Sequence, residues 1–352
     1  MIISHAFPLA GQPEPVLVEF PVFSWSAGHI GVIIFFATSG FLVSQSWQRD
    51  PHLLRFPIRR VMRIWPGFIA VLLLAAYVIG PQATTLPRGD YLRNEGTWTY
   101  VWQNVTMHPI AYWLPEVFTG NPLRAVNGSI WSLPYEVLCY LGLLAIGMVR
   151  LVRSWFLGPL FLAAIVAYRY VVAVPTWHLP DDVWGIAGSF LVGTSVWFIG
   201  GAFLAQARSW VVRRHLVAAA VLLVFAVGAY RHAALLLVPS FCYLIIYVGT
   251  LPARWAGHVS RFGDPSYGMY LYAFPVAQVF VALHGGHVGP YRLMVESGIV
   301  SIVCGYASWH LVERHGVRLG RAIIGLTKRA GHREERGRAA PAPVPEAATS
   351  DA

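Results

Sequence analysis

The chain is organised by long apolar runs separated by short polar joints. These runs lie at 29–47, 61–80, 131–149, 155–174, 186–206, 215–230, 234–250, 266–283 and 291–311. At 1.5 Å of rise per residue, each is long enough, or nearly so, to cross a hydrocarbon core about 30 Å thick. The pattern therefore predicts an all-α protein, a polytopic membrane helix bundle. Runs 215–230 and 234–250 are parted only by a turn around Arg231 and His232, which reads as a hairpin of two short spans. Residues 1–10 (MIISHAFPLA) are apolar apart from Ser4 and His5, but amount to half a span. They carry no basic leader, so they are not read as a secretory signal peptide. They form either a short re-entrant piece or the tail of a first span. The second reading gives about ten transmembrane helices with the first truncated.

Composition strengthens this picture. Of 352 residues, 56% are hydrophobic and only 12% are charged, against about 25% in soluble domains. A water-soluble globule and a largely disordered chain are both excluded by these figures. The formal net charge is +10. With the N-terminus inside and the spans alternating, 20 basic residues fall on inside segments and 6 on outside ones. That asymmetry follows the positive-inside rule and puts both ends in the cytoplasm. Basic charge spread over membrane loops gives no support for nucleic-acid binding. Cys139, Cys242 and Cys304 all sit in apolar runs, which argues against a disulfide framework or a zinc cluster. Trp47, Trp65, Trp131, Trp155 and Trp309 fall near span ends, as an interfacial aromatic belt would. Outside the spans, residues 81–130 are rich in Trp, Pro, Asn and Gly and are too long for a simple connector. Residues 312–330 read as a basic, amphipathic cytoplasmic surface helix, and 331–352 as a disordered tail.

Polar groups inside spans are costly to keep and mark candidate function. His5 is the first. Its titration range suits a general base, while the alternative is a histidine bonded to a neighbouring helix. Ser39 lies in GHIGVIIFFATSGFLVSQSW, where it could bond a substrate or simply pack a helix contact. In RFPIRRVMRIWPGF, Arg59, Arg60 and Arg63 sit at a membrane mouth with Arg55. Guanidinium forks of this kind pair well with phosphate oxygens. In NGSIWSLPYEVLCYL, Glu136 is an acid one turn into an apolar span, with Ser132 four residues before it. Its alternative is an ion pair with an arginine such as Arg124. Tyr267 belongs to GDPSYGMYLYAFPV, with Tyr270 and Tyr272, and could line a polar face; Asp264 reads as a helix cap. Glu313 lies at the end of the last span. No P-loop, HExxH zinc motif or Gly-x-Ser-x-Gly elbow is present.

Taken in order, SHAFPL, GVIIFFATSGFL, RRVMRIWP, SIWSLPYEVLCYL, SYGMYLYAFPV and HLVERHG resemble the integral-membrane acyltransferase-3 family of sugar O-acyltransferases. The likeness runs from His5 to about Arg321. It implies a membrane acyltransferase domain over 1–311, in the bacterial cytoplasmic membrane. The donor would be a cytoplasmic acyl-CoA, typically acetyl-CoA, with no metal. The acceptor would be a hydroxyl on a glycan, a lipid-linked sugar or a glycosylated small molecule, with the lipid bilayer as surroundings. The family's first-span histidine maps onto His5, its arginine motif onto Arg59, Arg60 and Arg63, and its later acid onto Glu136. On this mapping His5 and Glu136 are catalytic, the three arginines hold the donor's phosphates, and Ser39, Ser132 and Tyr267 bind substrate. One departure stands out. The family's arginine eleven residues before the histidine would precede Met1, so the reading expects Met1 to be an internal or misassigned start. Two other classes fit the spans: a transporter or flippase for a lipid-linked sugar, and a non-catalytic membrane sensor.

Overall fold

The computed structural model describes residues 2–19, 24–152, 154–173, 187–207, 215–231, 233–252 and 261–339. Each of the nine apolar runs forms a helix. They are α2 (Ala27–Arg49), α3 (Arg55–Leu74), α7 (Leu133–Met148), α8 (Ser154–Ala173), α9 (Gly188–Gln206), α10 (His215–Tyr230), α11 (Ala234–Thr250), α12 (Ser266–Leu283) and α13 (Pro290–Ser308). Among the described residues, six helices are long and apolar enough to cross a membrane, and three shorter apolar ones accompany them. The protein is thus an all-α bundle. His5 lies on an eight-residue helix, α1 (Ile2–Leu9). A small antiparallel hairpin of β1 (Val16–Glu19) and β2 (Ser24–Ser26), which the apolar pattern does not foretell, joins α1 to α2.

Among the described residues, α2 packs closely along α9. The contact depends on two glycines: a Cβ on Gly40 would strike the Phe198 carbonyl, and one on Gly201 would strike that of Ala37. The backbones can approach this closely only where the side chains are absent. Helices α12 and α13 form a second close pair, and α1 packs against both.

The stretch after α3 folds back on the bundle. Helix α3 runs through a π turn (Ala75–Ile79) into α4 (Gly80–Ala83), and α5 (Arg88–Arg93) and α6 (Glu95–Thr106) follow. Tyr91 is fully buried and its hydroxyl donates to the Ala76 carbonyl at 2.8 Å. Trp65 Nε1 donates to the Val105 carbonyl at 3.0 Å, which sets α6 alongside α3. Trp65 is therefore a strut between helices, beyond any role in an aromatic belt. Trp47 departs from the belt altogether: it is buried, edge-on to Phe56 and pressed on Gly147. Trp155 is exposed, as a belt residue would be.

After α13 the chain passes through a π segment (Trp309–Glu313) into α14 (Arg314–Ala339), which packs on α3. The helix runs on past residue 330, into the stretch read as a tail. Residues 340–352 of that stretch lie outside the described residues.

Candidate active site

Two cavities meet within the bundle. The larger, about 440 Å³, is walled by Ser39, Arg60, Arg63, Ser132, Glu136 and Tyr267, together with Tyr140 and Tyr270. Six of the eight residues given a catalytic or binding role from sequence thus share one cavity, brought there by four helices and a 3₁₀ turn. The smaller, about 290 Å³, holds His5 with Ser4, Glu14, His29, Trp131 and Thr194. Val32 lines both. The 3₁₀ turn Ser129–Ser132 stands at the join, with Trp131 on the histidine side and Ser132 on the arginine side. Asn127 pins that turn, donating from Nδ2 to the Leu271 carbonyl at 3.0 Å while accepting from Ser129 N at 3.1 Å.

Glu136 is 5% exposed. Its Oε1 accepts from the Tyr140 hydroxyl and from Ser39 Oγ at 3.4 Å, and Ser39 Oγ is 3.0 Å from the same tyrosine oxygen. A buried carboxylate needs such partners to offset its lost hydration. Arg124 is not one of them, since it pairs with Glu116 at 3.4 Å. Nor does Glu136 line the cavity of His5; it belongs with the arginines. On the same cavity, Ser132 Oγ lies 3.0 Å from the Tyr270 hydroxyl, which donates to the Ser129 carbonyl at 2.5 Å. The Tyr267 hydroxyl donates to the Ile64 carbonyl at 2.9 Å.

The three arginines have different surroundings. Arg59 turns to the loop before α3. Its Nη1 donates to Asp50 Oδ2 at 2.7 Å and its Nη2 to the Asp50 carbonyl at 3.0 Å, while Arg55 donates to Asp50 Oδ1 at 2.8 Å. Arg59 and Arg63 are four apart in sequence, yet only Arg60 and Arg63 line the cavity. Burial works against the charge on Asp50, but the hydrogen bonds from Arg59 and Arg55 outweigh it and hold the carboxyl below its usual value. Arg63 bridges Asp264 Oδ2 at 2.6 Å and Glu313 Oε2 at 3.1 Å, packed between the rings of Tyr267 and Trp309. Glu313 is itself held by Ser308 Oγ at 2.7 Å. Arg60 is the least engaged. It makes one 3.4 Å bond to Ser46 Oγ and stacks over Tyr140, and its buried Nε has no partner.

In the other cavity, His5 Nε2 is buried without a hydrogen-bond partner, and the ring stands edge-on to Phe274 at 5.1 Å. Glu14 Oε1 accepts from Gly28 N at 3.1 Å. Sequence reasoning passed over Glu14 and Tyr140, and it named Asp264 and Glu313 without pairing either with Arg63. Glu14 sits in an unremarkable loop, and Asp264 is 201 positions from its arginine. Only Tyr140 carried a signal, being four residues from Glu136 on one helix face. Among the described residues, no group of three or more His, Cys, Asp or Glu side chains is gathered as a metal centre requires.

A helical membrane bundle that holds an unpartnered imidazole beside a guanidinium-lined cavity has the makings of a membrane-embedded group-transfer enzyme. Comparison with known proteins makes the class specific. The chain belongs to the acyltransferase-3 family, whose acyltransferase domain matches residues 1–309. It is similar to an O-acetyl transferase of Shigella phage Sf6, 27% identical over 89% of this chain and 91% of the relative. It is also similar to nodulation protein 10 of Rhizobium leguminosarum, 25% identical over 92% of this chain and 91% of the relative. A third relative, the peptidoglycan O-acetyltransferase OatA of Listeria monocytogenes, is 31% identical over 41% of this chain and 23% of its own length. No solved structure gives a significant match. The protein is an acyltransferase.

Proposed function

We propose that this enzyme moves an acetyl group from acetyl-CoA to a hydroxyl of a carbohydrate-bearing acceptor. The observation that carries the reading is the pair of cavities meeting at Val32. One offers a guanidinium in search of anions, the other a buried imidazole nitrogen with no partner. O-acetyl transfer by two of the relatives, one of them acting on peptidoglycan, supports an acetyl donor and a glycan acceptor. The acceptor class spans glycans, lipid-linked sugars and glycosylated small molecules, and the sided distribution of basic residues supports a bacterial cytoplasmic membrane with both ends inside.

In this reading Arg60 attracts the phosphates of the donor, Arg63 holds the cavity wall through Asp264 and Glu313, and the thioester reaches toward Val32. Arg59 supports the mouth through Asp50. Ser39, Tyr140 and Glu136 form the polar wall beside the thioester, with Ser132 and Tyr267 across from them. His5 takes the proton of the acceptor hydroxyl as that oxygen attacks the thioester carbonyl, an aid worth about 10²–10⁴ in rate. The experiment is acyl transfer from radiolabelled acetyl-CoA in membranes of expressing cells, read as base-labile label. His5→Ala is expected to lower it about 10²- to 10⁴-fold at unchanged membrane levels of the protein. Full activity in that variant sinks the base assignment. Absence of any CoA binding or transfer by the purified wild type favours the transporter reading, and binding without transfer favours a sensor.

A further inference from the structure

Among the described residues, Glu14 is the carboxylate on the wall of the His5 cavity. It is held there firmly. Gly28 N, in the first turn of α2, donates to its Oε1 at 3.1 Å, and a helix N-terminus favours negative charge at that point. Space for the contact depends on residue 28 having no side chain. A Cβ there would overlap Ser4 Oγ, on the residue next to His5, and lie 3.3 Å from Glu14 Oε1. Helix α1, Glu14 and the start of α2 thus converge on one point. The other imidazole on this cavity, His29, is stacked on Trp25. His5 Nε2 is the buried nitrogen left open.

We infer that Glu14 is a positioning residue for the transfer, its carboxylate stabilising the imidazolium that His5 becomes when it takes the acceptor's proton. This rests on the reading of His5 as the base. The Nε2 lone pair of His5 takes the hydroxyl proton, and the acceptor oxygen forms a bond to the thioester carbonyl carbon. The C–S bond breaks with its pair on sulfur, and the proton on His5 passes to that thiolate. A thioester and an alcohol become an ester and a thiol. Positive charge is present on the imidazole only in the middle of this sequence. A fixed negative charge on the wall of the same cavity helps most at that moment. The carboxylate is anchored by a backbone amide, so it needs no reorganisation to act.

Glu14→Gln separates this role from a structural one. The glutamine oxygen still accepts from Gly28 N, so the cap at α2 survives while the charge is lost. In the membrane assay with radiolabelled acetyl-CoA, kcat is expected to fall about 10- to 100-fold, with the KM for acetyl-CoA within about twofold of wild type. The amount of protein in the membrane should not change. In a His5→Gln background the same substitution should cost less than about twofold, because its partner in charge is gone. Glu14→Gln activity within about twofold of wild type overturns the inference. So does a loss that comes through KM or through membrane levels, or an equal loss in the His5→Gln background. If His5→Gln is inactive while Glu14→Gln is fully active, the base reading stands and the inference about Glu14 alone fails. Full activity of His5→Gln removes both.

Discussion

Arg60 lies over the ring of Tyr140, 5.7 Å from its centroid, and the hydroxyl of that ring is bonded to Glu136. A cation, an aromatic ring and a carboxylate are thereby stacked in sequence along one wall of the larger cavity. The arrangement gives Glu136 a charge partner on α3 without a direct salt bridge, and Arg60 still lines the cavity. Arg60→Ala should accordingly weaken the donor, raising the KM for acetyl-CoA about tenfold, with a melting temperature in detergent close to wild type. An unchanged KM would remove Arg60 from the donor site.

Arg63 should behave in the opposite way. Its two carboxylate partners, Asp264 and Glu313, already use its guanidinium, and Glu313 is 1% exposed. Removing the arginine leaves a buried acid unpaired, which in general costs about 3–5 kcal/mol. Arg63→Ala is expected to lower the thermal midpoint by several degrees and reduce membrane accumulation, whereas Glu313→Gln in the same background should recover part of that loss. A variant as stable as wild type would show that the triad contributes nothing to the fold.

The contrast between Arg60 and Arg63 shows how far the sequence could be read. The helices were legible because each run of roughly twenty apolar residues has one physical solution in a membrane. The cavity residues were legible because a serine, an acid or a cluster of arginines is expensive inside a span. The division of labour among Arg59, Arg60 and Arg63 was not legible, since it depends on partners at positions 50, 264 and 313 that only the folded chain brings together. Glu14 was invisible for the same reason. Its loop looks like any connector until α2 supplies the amide that holds it.

Asp50 gives a pH dependence with a definite sign. Arg59 and Arg55 depress its folded pKa below the unfolded carboxylate value. Its contribution to stability is therefore fully present above the unfolded value of about 3.9, and is lost as pH falls through the lower folded one. Unfolding in detergent followed downward from pH 5 should show a destabilisation that Asp50→Asn removes. An identical acid limb in the variant would mean that other carboxylates set it.

The glycine contact between α2 and α9 predicts an all-or-none effect. Gly201→Val places branched carbons against the Ala37 carbonyl and the backbone of Phe41, neither of which can yield without separating the helices. The protein should fail to accumulate or elute as aggregate in detergent. Gly31→Ala, at a position where a Cβ meets nothing within 4 Å, is the matched control and should accumulate normally. Normal behaviour of Gly201→Val would mean the two helices have slack that the packing does not show.

Asn121 and Gln278 form one of the buried links between the stretch after α6 and the bundle. Asn121 Nδ2 donates to Gln278 Oε1 at 2.7 Å, and Gln278 Nε2 donates to the Leu123 carbonyl at 2.8 Å and to that of Ala125. Gln278 is fully buried on α12, the helix that also receives Asn127. One side chain therefore satisfies three groups of the stretch leading into the 3₁₀ turn between the two cavities. Gln278→Leu keeps the volume but strands the Leu123 and Ala125 carbonyls, while Asn121 keeps its 3.0 Å bond to the main-chain carbonyl of residue 278; the cost is about 1–3 kcal/mol for each polar group left unpaired in the interior. The cost falls on the segment and not on the helix, because α12 keeps its own backbone bonds. The expected result is faster tryptic cleavage at Arg124 with an unchanged rate at Arg93, together with a loss of acetyl transfer larger than the loss of protein. Cleavage at Arg124 no faster than in the wild type would show that the stretch is held by its other contacts, and that Gln278 serves only to fill its place in α12.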